Sequence, residues 1–155
     1  MDAIPTLTRR TVLTTVGAAV LLQNLSGPAR AQSAATKLFE AELAKLLAGR
    51  TPKESGVKID APAIAENGLV VPITVEADSP MTDADHIKTI HVLADGNPLP
   101  GVASFHFTPA NGRAAASTRM RLAQSQNLVA IAETSGGELR IARAEVKVTI
   151  GGCGG

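Results

Sequence analysis

Hydrophobic and polar positions along this chain change their rhythm near residue 50. From Thr36 to Ala48, Leu38, Phe39, Leu43, Leu46 and Leu47 recur at helical spacing. Glu40 and Glu42 lie toward the start and Gly49 stands just past the end, where a glycine commonly closes a helix. The spacing predicts one amphipathic helix. Residues 50–56, with Pro52 and Gly56, read as a linker, so helix and linker together occupy 32–56.

After the linker the period shortens to two. Runs at 57–59, 69–77, 87–94, 102–107, 114–122, 128–134 and 139–150 read as strands. In the second run Val71, Ile73, Val75 and Ala77 share one face, and Pro72 predicts an edge or a bulge. Asn67-Gly68, Asp95-Gly96-Asn97-Pro98, Asn111-Gly112 and Gly136-Gly137 separate the runs, and Asn-Gly is a strong hairpin signal. Along the last run, Leu139 and Ile141 have one parity and Val146, Val148 and Ile150 the other. A bulge or break near 142–144 would reconcile them. About seven short strands predict a mainly β chain: an immunoglobulin-like antiparallel β-sandwich over 57–150, with one N-terminal helix and a flexible C-terminal tail.

The first 31 residues have a different character. Arg9-Arg10 precedes a short apolar run, Val16 to Leu22, and Ala29-Arg30-Ala31 offers a small-residue cleavage site. These are the three parts of an export signal, and the paired arginines resemble a bacterial twin-arginine leader. Val12 stands where such leaders commonly carry an aromatic. The run is short for a membrane span and is interrupted by Gln23 and Asn24. Cleavage after Ala31 and a soluble periplasmic protein, with no membrane association, are therefore expected.

Charge adds an exclusion. Of the 15 basic residues three (Arg9, Arg10, Arg30) precede residue 32, as does one of the 14 acidic ones (Asp2), leaving 12 against 13. Neither this balance nor three phenylalanines without Tyr or Trp suits nucleic-acid binding.

The chemistry concentrates in the last five residues, Gly151-Gly152-Cys153-Gly154-Gly155. Cys153 is the only cysteine, so no disulfide within the chain is available, and in an exported protein it implies a free reactive thiol or an intermolecular bond. Glycines on both sides supply no side chain to bury it and leave the backbone free. Five extended residues reach roughly 16–18 Å, enough to carry a thiol into another protein's pocket. The order of residues is not that of a prenylation signal, which places cysteine fourth from the end. A terminal Gly-Gly also occurs in modifiers activated at their carboxylate, but that chemistry uses cytosolic ATP and needs no cysteine. Residues 151–155 are accordingly expected to form a swinging arm.

Other chemistry-bearing residues are weaker candidates. His86 sits beside Asp83 and Asp85, while His91 and His106 fall in strands, at separations matching no familiar zinc pattern. No metal or cofactor is expected. Arg113, Arg119 and Arg121 share one strand parity around Ser117, which reads as a solvated face before an anion-docking stripe. Glu66, before Asn67-Gly68, reads as a turn residue before a partner contact.

Together the leader, Ala65-Glu66-Asn67-Gly68 with Val71-Pro72, Ser117-Thr118-Arg119-Met120-Arg121-Leu122 and the closing Val146-Lys147-Val148-Thr149-Ile150-Gly151-Gly152-Cys153-Gly154-Gly155 resemble the SoxY family. These are sulfur-carrier subunits of the bacterial thiosulfate-oxidising (Sox) system. The resemblance runs through essentially the whole chain and implies an immunoglobulin-like fold paired with a SoxZ-like β-sandwich subunit. It implies that Cys153 is joined to thiosulfate by a SoxAX-like haem protein. A SoxB-like hydrolase would then release sulfate, and a sulfane dehydrogenase would oxidise the remaining sulfur. The protein would be a carrier, not an enzyme.

Two other classes share the exported β-sandwich. A thiol-disulfide exchange protein would use Cys153, although the chain has no resolving cysteine. A non-catalytic assembly subunit would carry the cysteine incidentally.

Overall fold

The computed structural model describes residues 28–150, with side chains from 34 to 149. The chain divides into two compact units, 1–33 and 34–155, and the architecture below is that of the second. The expected leader lies outside the described residues except for its last four, and the GGCGG tail lies outside them entirely.

The helix, α1, spans Pro28–Leu47, so it starts before the Thr36 boundary suggested by spacing. It ends as expected, with Ala48 and Gly49 both at positive φ (48° and 75°). The second of these is glycine, the residue that adopts this conformation without steric strain. Phe39, Leu43, Leu46 and Leu47 face inward, whereas Leu38 is 52% exposed and stands off the apolar stripe. The Arg50 guanidinium donates to the Leu47 carbonyl (3.3 Å) and to the Gly137 carbonyl (2.9 Å), tying the helix end to a distant turn.

Eight strands follow: β1 (Val57–Asp60), β2 (Ile64–Asn67), β3 (Val71–Ala77), β4 (Ile87–Ala94), β5 (Gly101–His106), β6 (Ala114–Met120), β7 (Gln126–Thr134) and β8 (Leu139–Ile150). They form a three-stranded sheet, β1-β3-β6, and a five-stranded sheet, β2-β8-β7-β4-β5. The chain is mainly β and forms the expected sandwich. One pairing departs from an all-antiparallel arrangement: β2 runs parallel to β8, with Ala65 opposite Val148.

Side-chain parity along the five-stranded sheet explains its packing. Leu128, Ala130 and Ala132 of β7 face the small sheet with Ile90, Val92 and Ala94 of β4. Val129 and Ile131 face the helix with Leu93, Leu139 and Ile141. Alternate side chains point to opposite faces, so a strand covered on both sides reads as a continuous apolar run. The bulge expected near 142–144 is therefore absent. β8 pairs with β7 without a register break from Leu139↔Glu133 to Gln126↔Val146. Its apolar parity changes because the helix covers only the first part. Beyond Ile141 that face carries exposed Arg143, Glu145, Lys147 and Thr149, while Val146 keeps its place in the inter-sheet core.

Turn chemistry divides into confirmed and corrected cases. Gly136-Gly137 joins β7 to β8, with Gly137 at φ 82°, and residues 95–100 join β4 to β5. Asn67-Gly68 and Asn111-Gly112 are not hairpin turns, because each connects strands of different sheets. Asn67 Oδ1 instead accepts from the Leu69 N–H at 2.8 Å, the local bond that makes asparagine favourable where a chain changes direction. At the second site a short 3-10 helix, Pro109–Asn111, ends on Gly112 at φ 70°. Pro72 also needs a refinement. β3 is the central strand of its sheet, but β1 pairs only with Thr74–Ala77, so Pro72 sits where β3 has one neighbour. Its missing N–H is tolerated there. Among the described residues no helix is long and apolar enough to cross a membrane.

The two helix-face positions give a direct test. Ile131→Ala removes a fully buried side chain beneath α1 and should destabilise the fold by about 2–5 kcal/mol. Leu38→Ala should change it by less than about 0.5 kcal/mol. Urea unfolding of both variants measures this, and equal losses would mean that the helix is docked by another face.

Candidate functional site

β8 ends at Ile150, the residue immediately before the glycine-cysteine tail. Its last residues are held from both sides. On one side the Lys147 N–H donates to the Ala63 carbonyl (3.0 Å), and the Thr149 hydroxyl donates to the Glu66 carbonyl (2.7 Å). On the other side the Val148 N–H donates to the Ser125 hydroxyl (2.9 Å). That contact continues the support past the first residue of β7, where the regular ladder stops. Glu66 is thus a strand residue whose carbonyl anchors β8, and the turn reading of it is corrected.

The same end of the sandwich gathers three connections: 68–70 between β2 and β3, 95–100 between β4 and β5, and 121–125 between β6 and β7. They are bonded to one another. The Leu122 N–H donates to the Gly68 carbonyl at 2.8 Å. Asn97 donates through Nδ2 to the Arg121 carbonyl (2.9 Å) and accepts at Oδ1 from the Ala123 N–H (3.0 Å). Gln126, although buried, is satisfied: it donates to Asn97 Oδ1 (2.9 Å) and accepts from the Gly96 N–H (2.8 Å). A buried amide without such partners would be costly, so this network fixes the loops. Sequence patterning pointed to Asn97 only as a turn residue. It carried no signal for Ser125, Gln126 or Thr149, whose partners are remote in the chain.

The remaining candidates do not converge on this end. His91 and His106 lie on the helix-side face of β4 and β5, bonded to Ser104 (2.7 Å) and Thr89 (3.2 Å) respectively. His91 borders an open cleft of about 270 Å³ with Glu42 and Leu46 of α1. Burial lowers its pKa below the ordinary 6.5 and His106 lowers it further, against the opposing pull of Glu133 and Glu42. His86 is bonded to the Thr82 carbonyl at 3.1 Å in its own loop. Among the described residues no group of three or more His, Cys, Asp or Glu side chains is arranged to hold a metal ion.

The three arginines separate as well. Arg113 is paired with Glu76 at 2.7 Å, which leaves the outer face of the small sheet without a continuous cationic stripe. Arg119 lies opposite Pro72 beside Thr74 and Ser117, whose hydroxyls share a 2.8 Å hydrogen bond. This is a hydrogen-bonded, solvent-facing surface. Arg121 belongs to the 121–125 connection.

These features define an immunoglobulin-like sandwich whose last strand is clamped where a cysteine-bearing segment begins. The chain belongs to the SoxY family: the family model for sulfur oxidation protein SoxY matches residues 43–153. Its structure is similar to that of the sulfur carrier protein SoxY from Chlorobium limicola f thiosulfatophilum, at 36% identity and a TM-score of 0.59. That match covers 74% of this chain and 98% of the other. Superoxide reductase (neelaredoxin) from Ignicoccus hospitalis is similar at 24% identity and a TM-score of 0.54, covering 61% of this chain and 80% of that one. Superoxide reductase from Nanoarchaeum equitans is similar at 17% identity and a TM-score of 0.51, covering 61% and 99%. These two share the fold alone. No curated protein matches the chain significantly.

The lowered His91 pKa has a definite consequence. The unfolded chain binds this proton more readily than the folded one, so His91 contributes stability that is fully present above pH 6.5. That contribution falls on acidification. Between pH 7.5 and 5.5 the wild-type Tm should therefore fall more than that of His91→Gln. Parallel Tm profiles would show that the proton is taken up equally in both states.

Proposed function

We propose that this protein is a periplasmic sulfur carrier, exported by the twin-arginine route, that holds thiosulfate-derived sulfur on Cys153. The observation that carries the reading is that the SoxY family match extends through Cys153, the only cysteine of the chain. The named SoxY sulfur carrier from Chlorobium limicola f thiosulfatophilum supports it. In this reading residues 1–31 are the leader, 57–150 the carrier domain and Gly151, Gly152, Gly154 and Gly155 the arm around the thiol.

The chemistry follows from a thiolate, which is the nucleophilic form of cysteine. Oxidative joining forms one S–S bond between Cys153 and thiosulfate, releases the thiol proton and passes two electrons to a SoxAX-like haem protein. The product is a cysteine S-thiosulfonate. Water then attacks the terminal sulfonate sulfur in a SoxB-like hydrolase, breaking the S–S bond and releasing sulfate and a proton. Cys153 retains a persulfide, whose outer sulfur takes three oxygens from water and passes six electrons to a sulfane dehydrogenase to become an S-sulfonate; a second hydrolysis releases it as sulfate and frees the thiol. The folded body supplies the root and the partners supply the pockets. A SoxZ-like β-sandwich subunit completes the carrier as a heterodimer.

Cys153→Ser should abolish sulfur adducts on the terminal peptide, read by intact-mass analysis after thiosulfate turnover, while the thermal unfolding curve stays superimposable on wild type. A variant that still supports turnover would remove the carrier role. Gly152→Val should slow processing by the partner enzymes several-fold without altering Tm, because a β-branched side chain both stiffens and widens the arm. Equal rates would remove the narrow-channel argument.

A further inference from the structure

Among the described residues five large apolar side chains are markedly exposed: Leu38, Ile64, Leu69, Val70 and Leu99. Three of them belong to the connections at the end where β8 finishes. Leu69 (45% exposed) and Val70 (61%) lie between β2 and β3, and Leu99 (78%) lies between β4 and β5. Single exposed apolar residues are ordinary, but a group at one functional end is not.

Hydrogen bonds tie the connections that carry them to one another. The 68–70 and 95–100 connections are each bonded to 121–125, through Gly68–Leu122 and through Asn97 with Arg121 and Ala123. The 121–125 segment is in turn bonded to the end of β8 through Ser125 and Val148. Charge is sparse on these connections. The Asp95 carboxylate is engaged by the Asn127 N–H and side-chain amide (2.9 and 2.8 Å), which leaves Arg121 as a cationic neighbour.

Chain length decides what can cover this surface. Cys153 lies three residues beyond Ile150, a span of no more than roughly 10–11 Å. Any pocket that receives its sulfur must open within that distance of the end of β8. The receiving protein must then rest on the connections around it. We propose that Leu69, Val70 and Leu99 form an apolar docking rim for the enzymes that process the sulfur carried on Cys153. The expected partner surface is an apolar collar around a channel mouth leading to a sulfur-oxoanion pocket. The proposal rests on the carrier reading above. Three aliphatic side chains give a small contact without demanding polar geometry, suited to brief visits to several enzymes.

The test uses the full chain loaded without any enzyme. Tetrathionate transfers its sulfur directly: the Cys153 thiolate attacks a central sulfur, the central S–S bond breaks, thiosulfate leaves, and a cysteine S-thiosulfonate remains. Sulfate release by the host's purified hydrolase for this adduct is then measured for wild type, Leu99→Asp and the double variant Leu69→Asp, Val70→Asp. These side chains are exposed, so Tm should be unchanged, and the free thiol should react with a small aromatic disulfide at the wild-type rate. The proposal expects KM to rise about tenfold or more in the variants with kcat nearly constant, as loss of a buried apolar contact at an interface gives. Unchanged KM in both variants would overturn it. So would unchanged KM accompanied by altered self-association, or by loss of a tight complex with a second β-sandwich subunit, since either result assigns the surface to another occupant. Absence of sulfate release from loaded wild type would instead refute the carrier reading itself, and the docking rim would fall with it.

Discussion

β7 and β8 are paired without interruption through the middle of the five-stranded sheet, and the part of β7 that carries Val129 and Ile131, with the start of β8, is covered on both faces. On one side the three-stranded sheet packs against Leu128, Ala130, Ala132 and Val146; on the other α1 packs against Val129, Ile131, Leu139 and Ile141. Small residues on the inter-sheet face of β7 let the sheets approach, and branched ones on the other face fill the space beneath the helix. With no disulfide available, this two-sided burial is the principal constraint holding the strands in register. A slip of one residue would exchange the two faces along the whole strand.

That constraint reaches the C-terminal end of β8 through the strand itself. The strand is too long for its last residues to be held by β7 alone, since β7 begins opposite Val146. β2 therefore matters out of proportion to its four residues, because it extends the support to Ile150. Ser125 supplies the corresponding support from the opposite side. The end of β8, three residues before Cys153, is thus held by hydrogen bonds to a strand and a loop that lie far away in sequence. In the proposed carrier role, a fixed strand end followed by so few residues restricts where a receiving pocket can open.

Much of the sandwich was legible from period and turn chemistry, including the helix C-terminus at Gly49, the Gly136-Gly137 turn and seven of the eight strands. The errors have related causes. β2 was hidden because Ala65 is its only buried residue, so it shows no alternation, and its stability comes from pairing with β8. Asn67-Gly68 and Asn111-Gly112 have hairpin composition, yet a local turn signal does not record whether the next strand stays in the same sheet. The parity change in β8 suggests a bulge or a break because one-dimensional alternation cannot distinguish a kinked strand from one whose second face is only partly covered.

The residues alone determined the chemical content of this protein. A single cysteine among glycines, a mainly β body and a balanced charge are properties of composition and short-range order, and no packing arrangement alters them. Tertiary structure decided which faces are dry, which loops share an end and how the last strand is secured. Those outcomes depend on contacts between residues tens of positions apart, such as Ser125 with Val148 and Glu66 with Thr149. Such contacts form only when strand pairing and two-sided burial bring the segments together, so neither period nor motif announces them.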